Sequence, residues 1–103
     1  MTVSDVLKSD RIALHLKSDT KESALKELTE LLYKSGALTD KDAFLNDVLT
    51  RESISTTGIG NGIAIPHGKS ANVLETTVAI GRCEKQLEWE SVDDKPVNFI
   101  VLL

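Results

Sequence analysis

The chain has 103 residues, of which 41% are hydrophobic and 27% charged, and a formal net charge of −4. That is material for one globular domain with a modest core, not for two. No apolar run approaches the ~20 residues needed to cross a bilayer, and the basic residues are scattered, which argues against a nucleic-acid partner.

The N-terminus, Met-Thr-Val-Ser-Asp, lacks the basic-then-apolar order of a secretory signal. The single cysteine, Cys83, excludes an internal disulfide and fits a reducing compartment. A cytoplasmic protein is expected, with an acidic surface suited to a more basic partner.

Residues 11–17 alternate, which predicts a half-buried strand with Ile12, Leu14 and Leu16 on one face and Ala13, His15 and Lys17 on the other. His15 then reads as a surface histidine with no partner beside it. A helix follows, capped by Asp19 or Thr20, with Glu22 and Ser23 placed for a capping box. Leu25, Leu28, Leu31 and Leu32 recur at helical spacing with Ala24 beside them, which reads as core. Gly36 supplies the left-handed stop.

Thr39 is expected to start a second helix, with Asp40 and Asp42 in its first turn where the helix dipole favours negative charge. Ala43, Phe44, Val48 and Leu49 form its apolar face, and the pattern ends near Arg51 and Glu52. Arg51 has two readings. One is a cation beside the last helical carbonyls, and the other is a guanidinium within reach of whatever the next stretch holds.

That stretch, residues 58–68, reads Gly-Ile-Gly-Asn-Gly-Ile-Ala-Ile-Pro-His-Gly. Its alternate glycines allow close backbone approach, and it delivers an imidazole, His67, to one place. Beyond it, residues 77–82 alternate again with Val78 and Ile80 on one face, and Cys83 is placed after that strand as a small apolar filler. Leu87 and Trp89 indicate another short extended piece, and Asp93-Asp94-Lys95-Pro96 a turn. Residues 97–103 are almost continuously apolar, as in a central strand covered on both faces. A strand of that kind with nothing after it implies a missing element or a covering partner. The order strand-helix-helix-strand-strand-strand predicts an α/β fold, a mixed sheet flanked by helices in a single domain.

Several chemistries fail on spacing. The end Gly68-Lys69-Ser70 hints at a phosphate-binding P-loop, but five residues separate Gly62 from Gly68 where that loop needs four, and Pro66 removes a donor. Gly58, Gly60 and Gly62 miss the dinucleotide fingerprint, and no strand clearly feeds them. His67 has no metal-ligand companion at helical spacing, and no nucleophile–base grouping stands out. What remains is His67 as a nucleophile. A neutral imidazole nitrogen can attack phosphorus, while backbone donors and an arginine hold the phosphoryl oxygens.

At these residues the sequence resembles the IIA domain of the bacterial sugar phosphotransferase system, fructose/mannitol type and closest to the fructose branch. The family signature is matched by Glu52, Ile59-Gly60 and Ile63-Ala64-Ile65-Pro66-His67-Gly68. The flanks "LTRES", "VAIGR" and "DDKPVNFIVLL" look similar as well.

The resemblance implies a histidine-dependent phosphotransferase component. His67 would be phosphorylated on Nε2 by the phosphocarrier protein HPr and would pass the group to a cysteine of the IIB domain. IIB would then phosphorylate sugar imported by the membrane domain IIC, so membrane association would be indirect. Arg51 matches the family arginine that stabilises the phosphate, and no cofactor or metal is implied. Glu52 belongs to the signature without an assigned chemical role, and capping of the loop is one reading of it. Family members usually continue beyond the last strand with helices and a second histidine, so residues 1–103 are expected to be a C-terminally incomplete IIA domain. His15 does not match that second histidine. The alternative is a regulatory IIA-like module whose phosphorylation state controls other proteins.

Overall fold

The computed structural model describes residues 11–54, 57–68, 73–74, 77–89, 93 and 95–102. Strand β1 (Ile12–Leu16) leads into helix α1 (Lys21–Lys34) and helix α2 (Lys41–Ile54). Two short strands follow, β2 (Gly58–Gly60) and β3 (Ile63–Ala64), then the long strand β4 (Ala79–Leu87) and β5 (Val97–Leu102). The five strands form one sheet in the order β1-β4-β5-β3-β2. β1 runs parallel to β4 and β3 to β5, while β4–β5 and β2–β3 are antiparallel. The expected mixed α/β sheet is present, and its apolar last strand, β5, is central.

Register explains the two faces. Directly paired residues share a face, so Ala13, Gly81, Ile100 and Ala64 line one row across four strands. This row and its neighbours Ala79, Cys83 and Leu102 face the core, where Leu25, Leu28 and Leu32 of α1 are buried. On β1 and β4 these residues are small (Ala13, Ala79, Gly81 and Cys83), which leaves room for the leucines. A β-carbon at Gly81 would lie 2.5 Å from Leu16 Cδ1 and 2.9 Å from Leu28 Cδ2. The opposite rows, Ile12–Ile80–Val101 and Arg82–Phe99–Ile63, are half-buried or exposed.

The helices end largely where capping chemistry places them. Thr20 caps α1 by accepting from the Ser23 N–H, and Gly36 leaves it at φ 85°. The second helix starts at Lys41 rather than Thr39, and Asp40 stands before it, its Oδ1 accepting from the Ala43 N–H at 3.0 Å. It also continues to Ile54, past Arg51 and Glu52. Lys41 ties it to α1 through both oxygens of Glu30, at 3.1 and 2.9 Å.

Three expectations are corrected in the strands. β1 does not alternate throughout. The two residues between Ala13 and Leu16 oppose the single residue between Gly81 and Cys83, and this slip turns Leu14 outward, 49% exposed, while Ala13 packs on the core. His15 is exposed as expected, but it does have a neighbour: Nδ1 lies 3.7 Å from Glu84 on β4. Cys83 lies inside β4 rather than after it, and Leu87 ends the same strand rather than starting another. The turn before β5 is built by Asp93, whose Oδ1 accepts from the Lys95 N–H at 3.2 Å. Asp94 and Leu103 lie outside the described residues.

Candidate functional site

The glycine stretch is not an open loop. Gly58–Gly60 and Ile63–Ala64 pair as a hairpin at the edge of the sheet, joined by Asn61 (φ 58°) and Gly62 (φ 77°). Positive φ at both central residues is the requirement of the turn whose twist matches a two-residue hairpin, and Asn-Gly is its favoured pair. The tip is held from two sides. Asp93 Oδ2 accepts from the Asn61 N–H at 3.0 Å, and the Gly62 carbonyl accepts from the Asn98 and Phe99 N–H groups, each at 3.0 Å.

β3 carries the chain out of the sheet towards His67, and the imidazole is exposed. Its neighbours are not. Pro66 is fully buried, and Gly68 is buried against α2, where a β-carbon would come within 2.2 Å of Phe44 Cζ and 3.2 Å of Val48 Cγ2. His67 is therefore held outward between two anchored residues. Further along, Val73 bridges Leu38, and the Leu74 N–H donates to the Ala37 carbonyl at 2.8 Å. The segment thus returns to the connection between the helices. Lys69 and Ser70, the end of the rejected P-loop, lie outside the described residues.

Arg51 sits half-buried in the last turn of α2. It follows Val48 by three residues and Phe44 by seven, so helical geometry puts it on the stripe that receives Gly68. Glu52, next to it, is buried, and its Oε1 accepts from the Thr57 hydroxyl. Its Oε2 pairs with Lys21 Nζ at 2.8 Å, and that ammonium lies 4.7 Å from the centre of the Trp89 ring. The Thr57 carbonyl in turn accepts from the Ile65 N–H at 3.0 Å. The capping reading of Glu52 has a geometry here, running from the start of α1, through the end of α2, to the residue two before His67.

Sequence reasoning missed Thr57, Lys21 and Trp89, which approach Glu52 only in three dimensions. The Asn61-Gly62 hairpin was a readable signal within the glycine run. Exposed apolar side chains stand at Ile54 (75%) and Ile59 (54%), while Ile63 is half-buried. No group of three or more metal-ligating side chains occurs among the described residues. No helix among them is long and apolar enough to cross a membrane.

The described residues thus make a small mixed α/β domain with one imidazole presented outward on an anchored loop. The chain belongs to the phosphoenolpyruvate-dependent sugar phosphotransferase system EIIA 2 family, whose model matches residues 5–103.

It is 38% identical, over 103 residues, to the fructose-specific EIIABC component of the phosphotransferase system of Bacillus subtilis, covering all of this chain and 16% of that protein. Among solved structures it resembles the nitrogen regulatory protein IIA-Ntr from Neisseria meningitidis, with a TM-score of 0.87 and 29% identity, covering 97% of this chain and 68% of that one. It also resembles a chain in the complex of enzyme IIA mannitol with phosphorylated enzyme IIB mannitol from Escherichia coli. There the TM-score is 0.80 and the identity 26%, with 93% of this chain and 67% of that one covered. The chain spans between about a sixth and about two thirds of the length of these proteins.

Proposed function

We propose that this domain is a phosphoryl carrier in which His67 accepts a phosphoryl group from phosphorylated HPr and gives it to a cysteine of a IIB domain. The observation that carries the reading is the exposed imidazole between buried Pro66 and buried Gly68. A side chain that must meet the phosphohistidine of a second protein has to stand clear of its own surface. Its backbone must also be fixed, so that little ordering is left to the encounter.

In the first transfer, the lone pair of His67 Nε2 attacks phosphorus. The new N–P bond forms as the donor's N–P bond breaks, and the donor imidazole keeps that electron pair. In the second, the IIB thiolate attacks the phosphorus of phospho-His67, an S–P bond forms, and His67 recovers its lone pair. Arg51 is assigned to the charge that spreads over the three phosphoryl oxygens. A carrier must accept and release at similar free energy, and one guanidinium with neutral backbone donors suits that better than several cations. Ile54 and Ile59 supply an apolar rim for a transient interface.

The fructose-specific relative from Bacillus subtilis supports a sugar of the fructose type, imported by a IIC domain, and the mannitol IIA–IIB complex supports a IIB partner. A regulatory role is the second reading, favoured by the likeness to IIA-Ntr. Reconstitution with phosphorylated HPr and a fructose-type IIB separates them. Phosphoryl flow to the IIB cysteine that is lost in His67→Ala supports the carrier. A phosphorylated domain that does not discharge to IIB favours regulation.

A further inference from the structure

We infer that Glu52 is a positioning residue for transfer at His67, acting through the Thr57 hydroxyl, an inference that rests on the phosphoryl-carrier reading of His67. Removing a carboxylate from water is costly, and an apolar side chain of similar volume would hold a core junction at least as well. Glu52 is nevertheless buried, and each of its oxygens has a directed task. Oε1 takes the Thr57 hydroxyl and so fixes the residue that opens the hairpin. Thr57 passes that constraint on through its carbonyl, which holds the Ile65 N–H at 3.0 Å. Pro66 follows with its φ locked by its ring, so little freedom remains between Ile65 and the His67 backbone.

The same carboxylate braces the last turn of α2, and Arg51 is its immediate neighbour in that turn. One side chain therefore sets the loop of the nucleophile and the helix end of the phosphate-stabilising arginine against each other. Lys21 at 2.8 Å, backed by the Trp89 ring at 4.7 Å, balances the carboxylate. A brace so neutralised adds little repulsion towards an incoming phosphoryl group.

The test is single-turnover phosphoryl transfer from phosphorylated HPr to the full chain, comparing the parent with Thr57→Val, Thr57→Ser and Glu52→Gln, each checked for folding by circular dichroism. Thr57→Val is expected to lower the saturating rate by roughly 10- to 100-fold, the scale of a displaced reacting group, with KM for the donor unchanged. Thr57→Ser, which keeps the hydroxyl, is expected to restore the parent's rate. A merely structural role would lower Tm without this split between the saturating rate and the donor concentration that half-saturates it. If Thr57→Val does not fold, Glu52→Gln reads the same quantity: a slower saturating rate at unchanged KM supports the inference, and the parent's rate overturns it. Thr57→Val at the parent's rate, or Thr57→Ser no faster than Thr57→Val, overturns the inference while leaving His67 as the carrier. A parent that takes no label, or a His67→Ala variant that keeps it, overturns the carrier reading and this inference with it.

Discussion

Gly68 lies so close to Phe44 that a β-carbon at position 68 would come within 2.2 Å of Cζ and 2.4 Å of Cε2 of its ring. Phe44 is 1% exposed, so the ring has no solvent to swing into. Gly68→Ala must therefore push the His67 segment off α2. The expected loss is about 1–3 kcal/mol of stability, the usual cost of overpacking. Denaturant titration measures it, and Phe44→Leu in the same background should recover part. Equal stability of Gly68→Ala and the parent would show that the segment is not docked as described.

The hairpin tip makes a second steric demand. Gly62 has φ 77°, and a β-carbon there would meet Asn98 Oδ1 at 2.9 Å. Gly62→Ala should cost at least about 1–2 kcal/mol from the left-handed backbone alone. Asn61 already holds φ 58° without a glycine, so Asn61→Gly should be well tolerated. Thermal unfolding of the two variants, side by side, checks the order.

These demands also show what could be read from the chain. The leucine stripe of α1, the stop at Gly36 and the candidacy of His67 were legible, because each rests on local periodicity, backbone preference or a short motif. The central placement of β5 was legible from its continuous apolar run. The outward turn of Leu14 was not, since it follows from an extra residue between Ala13 and Leu16 relative to β4. Nor was the role of Glu52. Its partners are five residues ahead at Thr57 and 31 behind at Lys21, and no period links them. Cys83 was rightly read as a small filler but wrongly set outside the strand, because β4 runs on through the polar residues 84–86 to Leu87.

Arg51 offers a kinetic prediction. Arg51→Gln keeps a polar side chain but shortens it and removes the guanidinium with its fixed charge. Transfer to His67 should slow by about 2–4 kcal/mol of barrier, the scale of one lost oxyanion donor, with circular dichroism unchanged. Rapid-quench rates at saturating donor measure it. An unchanged rate would return Arg51 to its helix-terminal role.

Cys83 predicts a pH dependence. Burial pushes its thiol pKa up, and the negative charge of Glu27 adds to the shift. The neutral thiol is the native form, so its contribution to stability is complete below the unfolded pKa of about 8.5 and is lost as pH rises above it. Cys83→Ala should flatten the alkaline fall in Tm. The thiol of the folded parent should also react slowly with an alkylating reagent at neutral pH, and rapidly after denaturation.

The central claim is that His67 carries the phosphoryl group. Intact-mass analysis after incubation with phosphorylated HPr tests it most directly, with acid and base treatment to type the bond. One acid-labile, base-stable phosphoryl group is expected on the parent and none on His67→Ala. Label retained by His67→Ala would contradict the claim.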